Sequence, residues 1–314
     1  MKKILIAGAA GFIGSNLCDF FLKKNFFVIG LDNLSTGRLS NISHNLTNKN
    51  FLFKKHDITK SINIKHEIDY ILNFASPASP INFEKIPFDT INSITIGTKN
   101  LLDLAVKKKS IILIASTSEI YGNPLMSPQN ESYFGNVNTI SPRAVYDESK
   151  RFSETLTYTY KRYHGLQIRI ARIFNTYGPR MKFDDGRVIP NFFSQLLSNK
   201  NLTVYGNGLQ TRSFCFIDDM VMGIYKLLNS NYSEPINLGN DYEISIKDLV
   251  NIFKKLFNYD KKIIFKKLPT DDPLKRKPNI DLAIKKLRWK PKTSLNEGLV
   301  KTSKYFIKEF NNNS

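Results

Sequence analysis

The chain has 314 residues, of which 41% are hydrophobic and 12% aromatic, and it carries a formal net charge of +19 at pH 7. This composition predicts an ordered globular core and excludes a disordered chain, and the length suits one large α/β domain with a smaller lobe. The lysines are scattered without an arginine-aromatic module, so a compositional bias towards lysine, asparagine and isoleucine explains the charge better than nucleic-acid binding does.

Only two cysteines occur, Cys18 and Cys215, and each lies in an apolar stretch. We interpret both as reduced core thiols, which excludes a disulfide framework and a cysteine metal site. No apolar run approaches the roughly 18 residues that a membrane span needs, and we expect no signal peptide before the first strand. The sequence therefore predicts a soluble cytoplasmic protein without a metal, a membrane partner or a nucleic-acid partner.

The first predicted strand, residues 3–7, leads through Gly8, Gly11 and Gly14 into a helical pattern over residues 15–24. A glycine turn between a strand and a helix brings free backbone N–H groups to a dinucleotide pyrophosphate. The same turn would also fit a purely structural connection. In this context the motif predicts a dinucleotide site.

The second predicted strand, residues 26–31, ends at Asp32, whose carboxylate can accept a hydrogen bond from a ribose 2′-hydroxyl. A 2′-phosphate would meet that negative charge, so Asp32 favours NAD over NADP. Arg38 follows closely enough in sequence to keep NADP open as an alternative.

Strands and helices continue to alternate beyond this point. Asp57 and Ile58 follow the third strand, where an adenine would lie, and the small residues and prolines of 75–80 suit a loop close to a cofactor. Such alternation predicts a Rossmann-type, doubly wound parallel sheet. The further predicted strands are 51–55, 68–74, 110–115 and 167–173, with a long helix over 90–106.

Polar side chains follow the fifth predicted strand: Ser116, Thr117, Ser118 and Glu119. Doubly wound sheets bind ligands at the carboxyl ends of their strands, so these groups are well placed for catalysis. The alternative is an ordinary polar turn in which the hydroxyls bond to the backbone.

The next predicted helix carries Tyr146 and Lys150, which lie four residues apart on one face. A tyrosine has an unperturbed pKa of about 10, and a fixed cation beside it favours the phenolate and brings the phenol towards the working range of a base. A packed tyrosine beside a surface lysine is the alternative for the pair taken alone.

The sequence pattern loosens into loops and short helices from about residue 178. We therefore predict an NAD-binding Rossmann domain over residues 1–177, which includes the Tyr146 helix. A smaller C-terminal lobe over 178–314 would bind mainly substrate, with some segments returning to the first domain.

These motifs together resemble the UDP-glucuronate decarboxylases of the extended short-chain dehydrogenase/reductase family, and the resemblance covers nearly the whole chain. The glycine loop and the Tyr146–Lys150 pair mark only the superfamily. More specific are Thr117-Ser118-Glu119 and the segment Asp271-Asp272-Pro273-Leu274 with 275–278. The other matching segments are 75–80, 142–150, 172–181, 185–192, 203–206 and 210–214.

The resemblance implies that UDP-glucuronate is decarboxylated to UDP-xylose without net redox change. Tyr146, poised by Lys150, would take the proton of the sugar 4-hydroxyl while a hydride passes to NAD⁺, and Thr117 would stabilise the charge that develops on the 4-oxygen. The 4-keto sugar is a β-keto acid and can lose CO₂. Glu119, with Ser118, would position the sugar and protonate C5 before the hydride returns.

The resemblance also assigns binding residues by position. Arg276 would grip the glucuronate carboxylate and Arg212 the UDP diphosphate, because a guanidinium fork matches both groups. The other implied substrate contacts are Pro77, Glu119, Asn175, Val188, Asn191, Tyr205 and Gln210. The implied NAD contacts, besides Tyr146 and Lys150, are Gly8, Gly11, Phe12, Ile13, Gly14, Asp32, Asn33, Ser35, Thr36, Gly37, Asp57, Ile58, Phe74, Ala75, Ser76, Ala115, Thr176 and Arg187.

Three other functions stay open from the sequence. A nucleotide-sugar 4,6-dehydratase would be better served by an Asp-Glu pair than by Ser118-Glu119, a second decarboxylase type would release the 4-keto pentose, and the Thr-Tyr-Lys set argues against a silent dinucleotide sensor. A homodimer through helices 90–106 and 146–163 is implied by the resemblance. The family usually shows Lys-Thr-Asn where this chain has Asn92-Ser93-Ile94, so no contact is assigned there.

Overall fold

A parallel sheet of seven strands forms the centre of the molecule, whose computed structural model describes residues 1–268 and 275–313. All six strand pairings in this sheet are parallel. The order of strands reverses direction between β1 and β4, which opens a crevice at their carboxyl ends. In spatial order the strands are β3 (Phe51–Lys55), β2 (Phe27–Asp32), β1 (Lys3–Ala7), β4 (Tyr70–Asn73), β5 (Ile111–Thr117), β6 (Ile168–Ile173) and β11 (Pro235–Leu238).

Both faces of the sheet are buried, which explains why its strands are continuous apolar runs rather than alternating ones. In β1, Ile4 and Ile6 pack into one core cluster, and Leu5 and Ala7 pack into the other. Helices α1 (Phe12–Lys23) and α7 (Ile217–Leu228) contribute to the first cluster, and α4 (Ile96–Lys108) and α5 (Ala144–His164) to the second. The predicted doubly wound fold is confirmed.

The remaining elements are small sheets and further helices. They form two-stranded sheets β10–β7 and β13–β8 and a three-stranded sheet β12–β9–β14. The strands are β7 (Thr176–Tyr177), β8 (Leu202–Tyr205), β9 (Thr211–Ser213), β10 (Cys215–Phe216), β12 (Glu243–Ser245), β13 (Ile263–Lys266) and β14 (Lys275–Arg276). The helices are α2 (Pro80–Lys85), α3 (Pro87–Ile94), α6 (Val188–Leu197), α8 (Ile246–Leu256), α9 (Asp281–Leu287) and α10 (Leu295–Asn313). Of these, α3 packs on α4 and α5, and α9 packs on β11 and α7.

The single helix predicted over 90–106 is wrong, because α3 and α4 are separate helices that meet at Thr95. The Thr95 hydroxyl donates to the carbonyl oxygen of Ile91 at 2.8 Å, a back-bond that bends helices. Gly97 then lies against Ile58, where a Cβ would overlap the isoleucine side chain. The bend and the glycine together let α4 pack closely on the sheet.

Two segments from the second half of the chain contact the first predicted domain. Strand β11 pairs with β6 at the sheet edge, and Arg38 donates to the phenol oxygen of Tyr305 in α10 at 2.7 Å. The division at residue 177 stays a prediction. Within the described ranges, no helix combines the length and apolar composition needed to cross a membrane. The specific segment Asp271-Asp272-Pro273-Leu274 lies outside the described residues.

Candidate active site

A cleft of about 820 Å³ lies at the carboxyl ends of the central strands. All six predicted catalytic residues line it: Thr117, Ser118, Glu119, Tyr146, Lys150 and Arg276. The predicted binding residues in its lining are Gly8, Gly11, Phe12, Ile13, Gly14, Thr36, Phe74, Ser76, Ala115, Asn175, Thr176, Arg187, Val188, Asn191, Tyr205, Gln210 and Arg212. Among the described residues, the predicted contacts outside the lining are Asp32, Asn33, Ser35, Gly37, Asp57, Ile58, Ala75 and Pro77.

The glycine loop leaves no room for side chains, as a dinucleotide site requires. Gly8 has a φ of +81°, and a Cβ there would lie 2.5 Å from the carbonyl oxygen of Phe74. A Cβ on Gly14 would overlap the carbonyl oxygen of Gly8. The loop backbone is therefore bare where α1 begins, and the residues present fit the pyrophosphate of NAD.

Asp32 is fixed at the end of β2 by backbone groups. Its carboxylate accepts hydrogen bonds from the N–H groups of Ala10 at 2.9 Å and Leu34 at 2.8 Å. Burial raises the pKa of Asp32, and these two N–H groups oppose the increase. Arg38 points elsewhere: it bonds to Tyr305 and pairs with Glu309 at 3.3 Å. Because Arg38 binds Tyr305 and Glu309, these contacts argue against its binding the 2′-phosphate of NADP.

The predicted adenine contacts lie near one another at the end of β3. The Asp57 carboxylate accepts from the N–H of Thr59 at 2.9 Å, and a hydrogen bond from Asn33 contributes to a lowered pKa, against the opposing effect of burial. The carbonyl oxygen of Asn33 accepts from the N–H of Ser35 at 3.0 Å. In contrast to these polar residues, Ile58 has a side chain that is only 4% exposed and packs into the hydrophobic core.

Tyr146 and Lys150 lie on the cleft-facing side of α5, and both are buried. The Tyr146 ring stacks on Phe83 with ring centroids 4.8 Å apart, and the Lys150 ammonium lies 5.6 Å from the Tyr146 centroid. Lys150 also donates to the carbonyl oxygen of Ala115 at 2.7 Å. The helix spacing therefore brings the pair together as predicted from the sequence.

The electrostatics of this pair differ from the sequence-based expectation. Burial raises the pKa of Tyr146 to about 12, while a hydrogen bond with Thr117 opposes the increase. Burial also lowers the pKa of Lys150 to about 7, and Glu154 opposes that change. The pKa of the phenol therefore stays well above neutrality, because desolvation outweighs the opposing effects of Thr117, Arg187 and Arg143.

Glu119 forms the centre of a charged cluster in the lining of the cleft. One carboxylate oxygen accepts from Arg276, and the other accepts from Arg143. Arg276 is 4% exposed and donates to the carbonyl oxygen of Gly122 at 3.2 Å. Burial lowers the pKa of Arg276 to about 9, so its guanidinium stays charged at neutral pH.

The predicted UDP contacts come from the small sheets and α6. Arg212 in β9 is the register partner of Arg276 in β14, which places two guanidinium-bearing residues side by side. Gln210 donates to the carbonyl oxygen of Tyr205 at 2.6 Å, which orients the loop between β8 and β9. Arg187 pairs with the Asp185 carboxylate, and its charge favours the ionised form of Tyr146.

Several residues that line the cleft had no role predicted from the sequence. Arg143 was part of a matched segment, but nothing in its spacing indicates a contact with Glu119. Phe83 belongs to α2, which begins at the last residue of the predicted loop 75–80 and for which the sequence analysis predicted no element. Pro80 is the first residue of that helix, where proline is favoured, and this position was the available signal.

The chain is similar in sequence to known proteins. Residues 5–302 match the family described as GDP-mannose 4,6 dehydratase. The chain is 47% identical to UDP-glucuronic acid decarboxylase 1 of Xenopus tropicalis, over 98% of this chain and 73% of that protein. It is 48% identical to UDP-glucuronic acid decarboxylase 3 of Arabidopsis thaliana, over 95% of this chain and 86% of that protein. The chain belongs to the GDP-mannose 4,6-dehydratase family.

Membership of this family confirms the predicted relationship to extended short-chain dehydrogenases/reductases and to UDP-glucuronate decarboxylases. The fold is similar to UDP-glucuronic acid 4-epimerase of Bacillus cereus, solved with UDP-glucuronic acid and NAD, at 29% identity and a TM-score of 0.88 over 98% of this chain and 99% of that one. It is also similar to dTDP-glucose 4,6-dehydratase of Bacillus anthracis, solved with NAD, at 26% identity and a TM-score of 0.87 over 99% and 98%. The predicted cofactor, NAD, agrees with both structures.

Proposed function

We propose that the protein decarboxylates UDP-glucuronate to UDP-xylose with NAD as its cofactor. The observation that carries this proposal is Arg276, a buried guanidinium in the same cleft as Thr117 and Tyr146. A buried cation at the sugar end of a nucleotide-sugar cleft selects a substrate that carries a carboxylate. The relatives at 47% and 48% identity, which are named for this activity, support the same substrate.

Tyr146 is the proposed base in the oxidation. NAD, when bound, would accept and return the hydride, and the positive charge of its oxidised nicotinamide ring would favour the phenolate form of Tyr146. Tyr146 takes the proton of the sugar 4-hydroxyl, and its hydrogen bond with Thr117 holds the phenol in place. Lys150 lies against the Tyr146 ring, where its ammonium form also favours the phenolate.

Loss of CO₂ follows from the structure of the 4-keto acid. The electrons of the breaking C5–carboxylate bond move to the 4-oxygen, where hydrogen bonds from Thr117 and the protonated Tyr146 stabilise the enolate. Glu119, which stays ionised beside Arg143, orients the water molecule that protonates C5, with the proton drawn from solvent, and Tyr146 returns its proton to the 4-oxygen in the final reduction. The same phenol is therefore the base in the first half of the turnover and the acid in the second.

The direct test is to incubate the purified protein with NAD and UDP-glucuronate and to identify the products by mass spectrometry and NMR. We expect one CO₂ and one UDP-xylose per substrate, with no accumulation of NADH. Net NADH with a UDP-4-keto pentose would replace this proposal with the keto-releasing decarboxylase. Loss of water without CO₂ would replace it with a dehydratase.

We also propose a cytoplasmic homodimer that assembles through α3, α4 and α5. These helices carry exposed apolar side chains: Phe88 is 77% exposed, Phe152 49% and Tyr163 75%. The cytoplasmic assignment is supported by Cys18 and Cys215, which are both buried free thiols. Light scattering tests the dimer, and fractionation of the source cells tests the compartment.

A further inference from the structure

The Glu119 carboxylate lies between two guanidinium groups from distant parts of the chain. Arg276 belongs to β14 and donates to one carboxylate oxygen, while Arg143 precedes α5 and donates to the other. The side chains of Glu119, Arg143 and Arg276 are 15%, 16% and 4% exposed. Because all three charges are removed from water, a change in one contact has a strong effect on the other.

This arrangement conflicts with substrate binding unless Glu119 moves. Under the proposed function, Arg276 binds the carboxylate of UDP-glucuronate, but in this structure Arg276 already binds a carboxylate of the protein. Two carboxylates on one guanidinium repel each other at close range. The substrate therefore has to displace Glu119 from Arg276.

We propose that Arg143 is a positioning residue that keeps the Glu119 carboxylate paired when the carboxylate of the substrate takes over Arg276. This inference rests on the proposed function and adds a determinant of substrate affinity to it. Arg143 already contacts the second oxygen of Glu119, so the carboxylate can leave Arg276 without losing its last cationic partner. Leaving a buried carboxylate unpaired is strongly unfavourable, and Arg143 prevents that state.

The main chain around Glu119 supports a rotation of the side chain alone. The Glu119 N–H donates to the Thr117 hydroxyl at 3.2 Å, which fixes the turn Ser118–Tyr121. Arg151 donates to the carbonyl oxygen of Ile120 at 3.0 Å and anchors the same turn. Arg143 thus acts on the carboxylate, whereas Arg151 acts on the backbone beside it.

A double-mutant cycle on the NAD-loaded protein tests this role by binding alone. Affinities for UDP-glucuronate and UDP-glucose are measured by calorimetry in a Tyr146→Phe background, which prevents turnover. We expect Arg143→Gln to weaken UDP-glucuronate binding about 10-fold and to change UDP-glucose binding less than about twofold, since only the first ligand displaces Glu119. Arg143→Lys, which keeps the charge but not the fork, should give a smaller loss.

The second arm of the cycle repeats Arg143→Gln in a Glu119→Gln protein. Position 119 then has no carboxylate that needs a cationic partner. Arg143→Gln should therefore change the ratio of the two affinities by less than about twofold. A tenfold loss that persists there would overturn the proposal, and so would equal losses for both ligands. Arg151→Gln is the matched control, and the same change in ratio for that variant would assign the effect to the backbone turn instead.

Failure of the two proposals gives different results. If the unmodified protein releases no CO₂ from UDP-glucuronate, the proposed function is removed. The affinity ratio is measured without turnover, so an uncoupled Arg143–Glu119 pair removes only the positioning role.

Discussion

The two sides of the cleft are built from different kinds of chemical group. The proposed cofactor side consists of bare backbone around Gly8, and Asp32 lies outside the lining of the cleft with its carboxylate held by two backbone N–H groups. The sugar side consists of charged side chains, Glu119, Arg143 and Arg276, that pair with one another. The glycine loop tolerates few substitutions, but its residues are close together in sequence. The residues of the charged cluster are far apart in sequence, and only the tertiary fold brings them together.

The largest effect should come from Tyr146→Phe, because Tyr146 lies where the two sides meet. The variant keeps the ring that stacks on Phe83 but removes the proton acceptor and donor. We expect decarboxylation to fall about 1,000-fold, the range of general acid–base catalysis, while NAD binding and the melting temperature stay unchanged. Product NMR measures the rate, and a fall of less than about tenfold would remove Tyr146 as the base.

The sequence predicted the cofactor side well because its signals are local. The glycine loop, the strand before it and Asp32 lie within 32 consecutive residues, and the structure places them where the pattern of strand, turn and helix required. The positions of Thr117, Tyr146 and Lys150, the proposed catalytic set, could also be predicted, since strand ends and helix faces follow from short-range periodicity.

The sugar side could be predicted only by resemblance. Arg276 lies 157 residues from Glu119 in sequence, and no local pattern indicates that their side chains meet. The pKa values of Tyr146 and Lys150 were also inaccessible, because desolvation depends on what covers each group in the folded protein. The helix break at Thr95, where the side chain bonds back to Ile91, was also missed, because a threonine inside a helical pattern does not by itself indicate a break.

The second largest effect should come from Arg276→Ala, which tests the charged side of the comparison. We expect UDP-glucuronate binding to weaken about 100-fold, because a buried charge pair with the substrate is lost, and UDP binding to change less than about threefold. Calorimetry measures both. Lys275→Ala is the matched control, since Lys275 is exposed on the same short strand. Equal weakening of the two ligands would remove Arg276 from the carboxylate site.

Asp32→Ser tests the cofactor side with a smaller expected effect. The change removes the acceptor for the 2′-hydroxyl and the negative charge that repels a 2′-phosphate, so the preference for NAD over NADP should fall about 10-fold. Fluorescence titration with both cofactors on the same variant measures the preference and corrects for any loss of folded protein. An unchanged preference would show that Asp32 does not face the 2′ position.

The smallest effect on activity is expected at Asp147, a carboxylate that contrasts with Asp32 and whose substitution should change stability. Within the described residues one oxygen of Asp147 is buried without a hydrogen-bond partner, whereas both oxygens of Asp32 accept from the backbone. Burial raises the pKa of Asp147 to about 7, and the charge of Arg143 opposes the increase. An unfolded aspartate has a pKa of about 4, so between about pH 4 and pH 7 the folded state binds more protons, and the free energy of unfolding falls as pH rises.

Asp147→Asn should therefore stabilise the protein at pH 8, by on the order of 4 kcal/mol, and leave its stability at pH 4 nearly unchanged. Thermal unfolding at the two pH values measures the difference. Glu148→Gln is the matched control, because Glu148 is 38% exposed and pairs with Arg151 at 3.5 Å. An equal shift in melting temperature at both pH values would mean that Asp147 is not protonated on folding. A charge on this carboxylate would then have to be stabilised within the cluster, as the paired charges of Glu119 and Arg143 are.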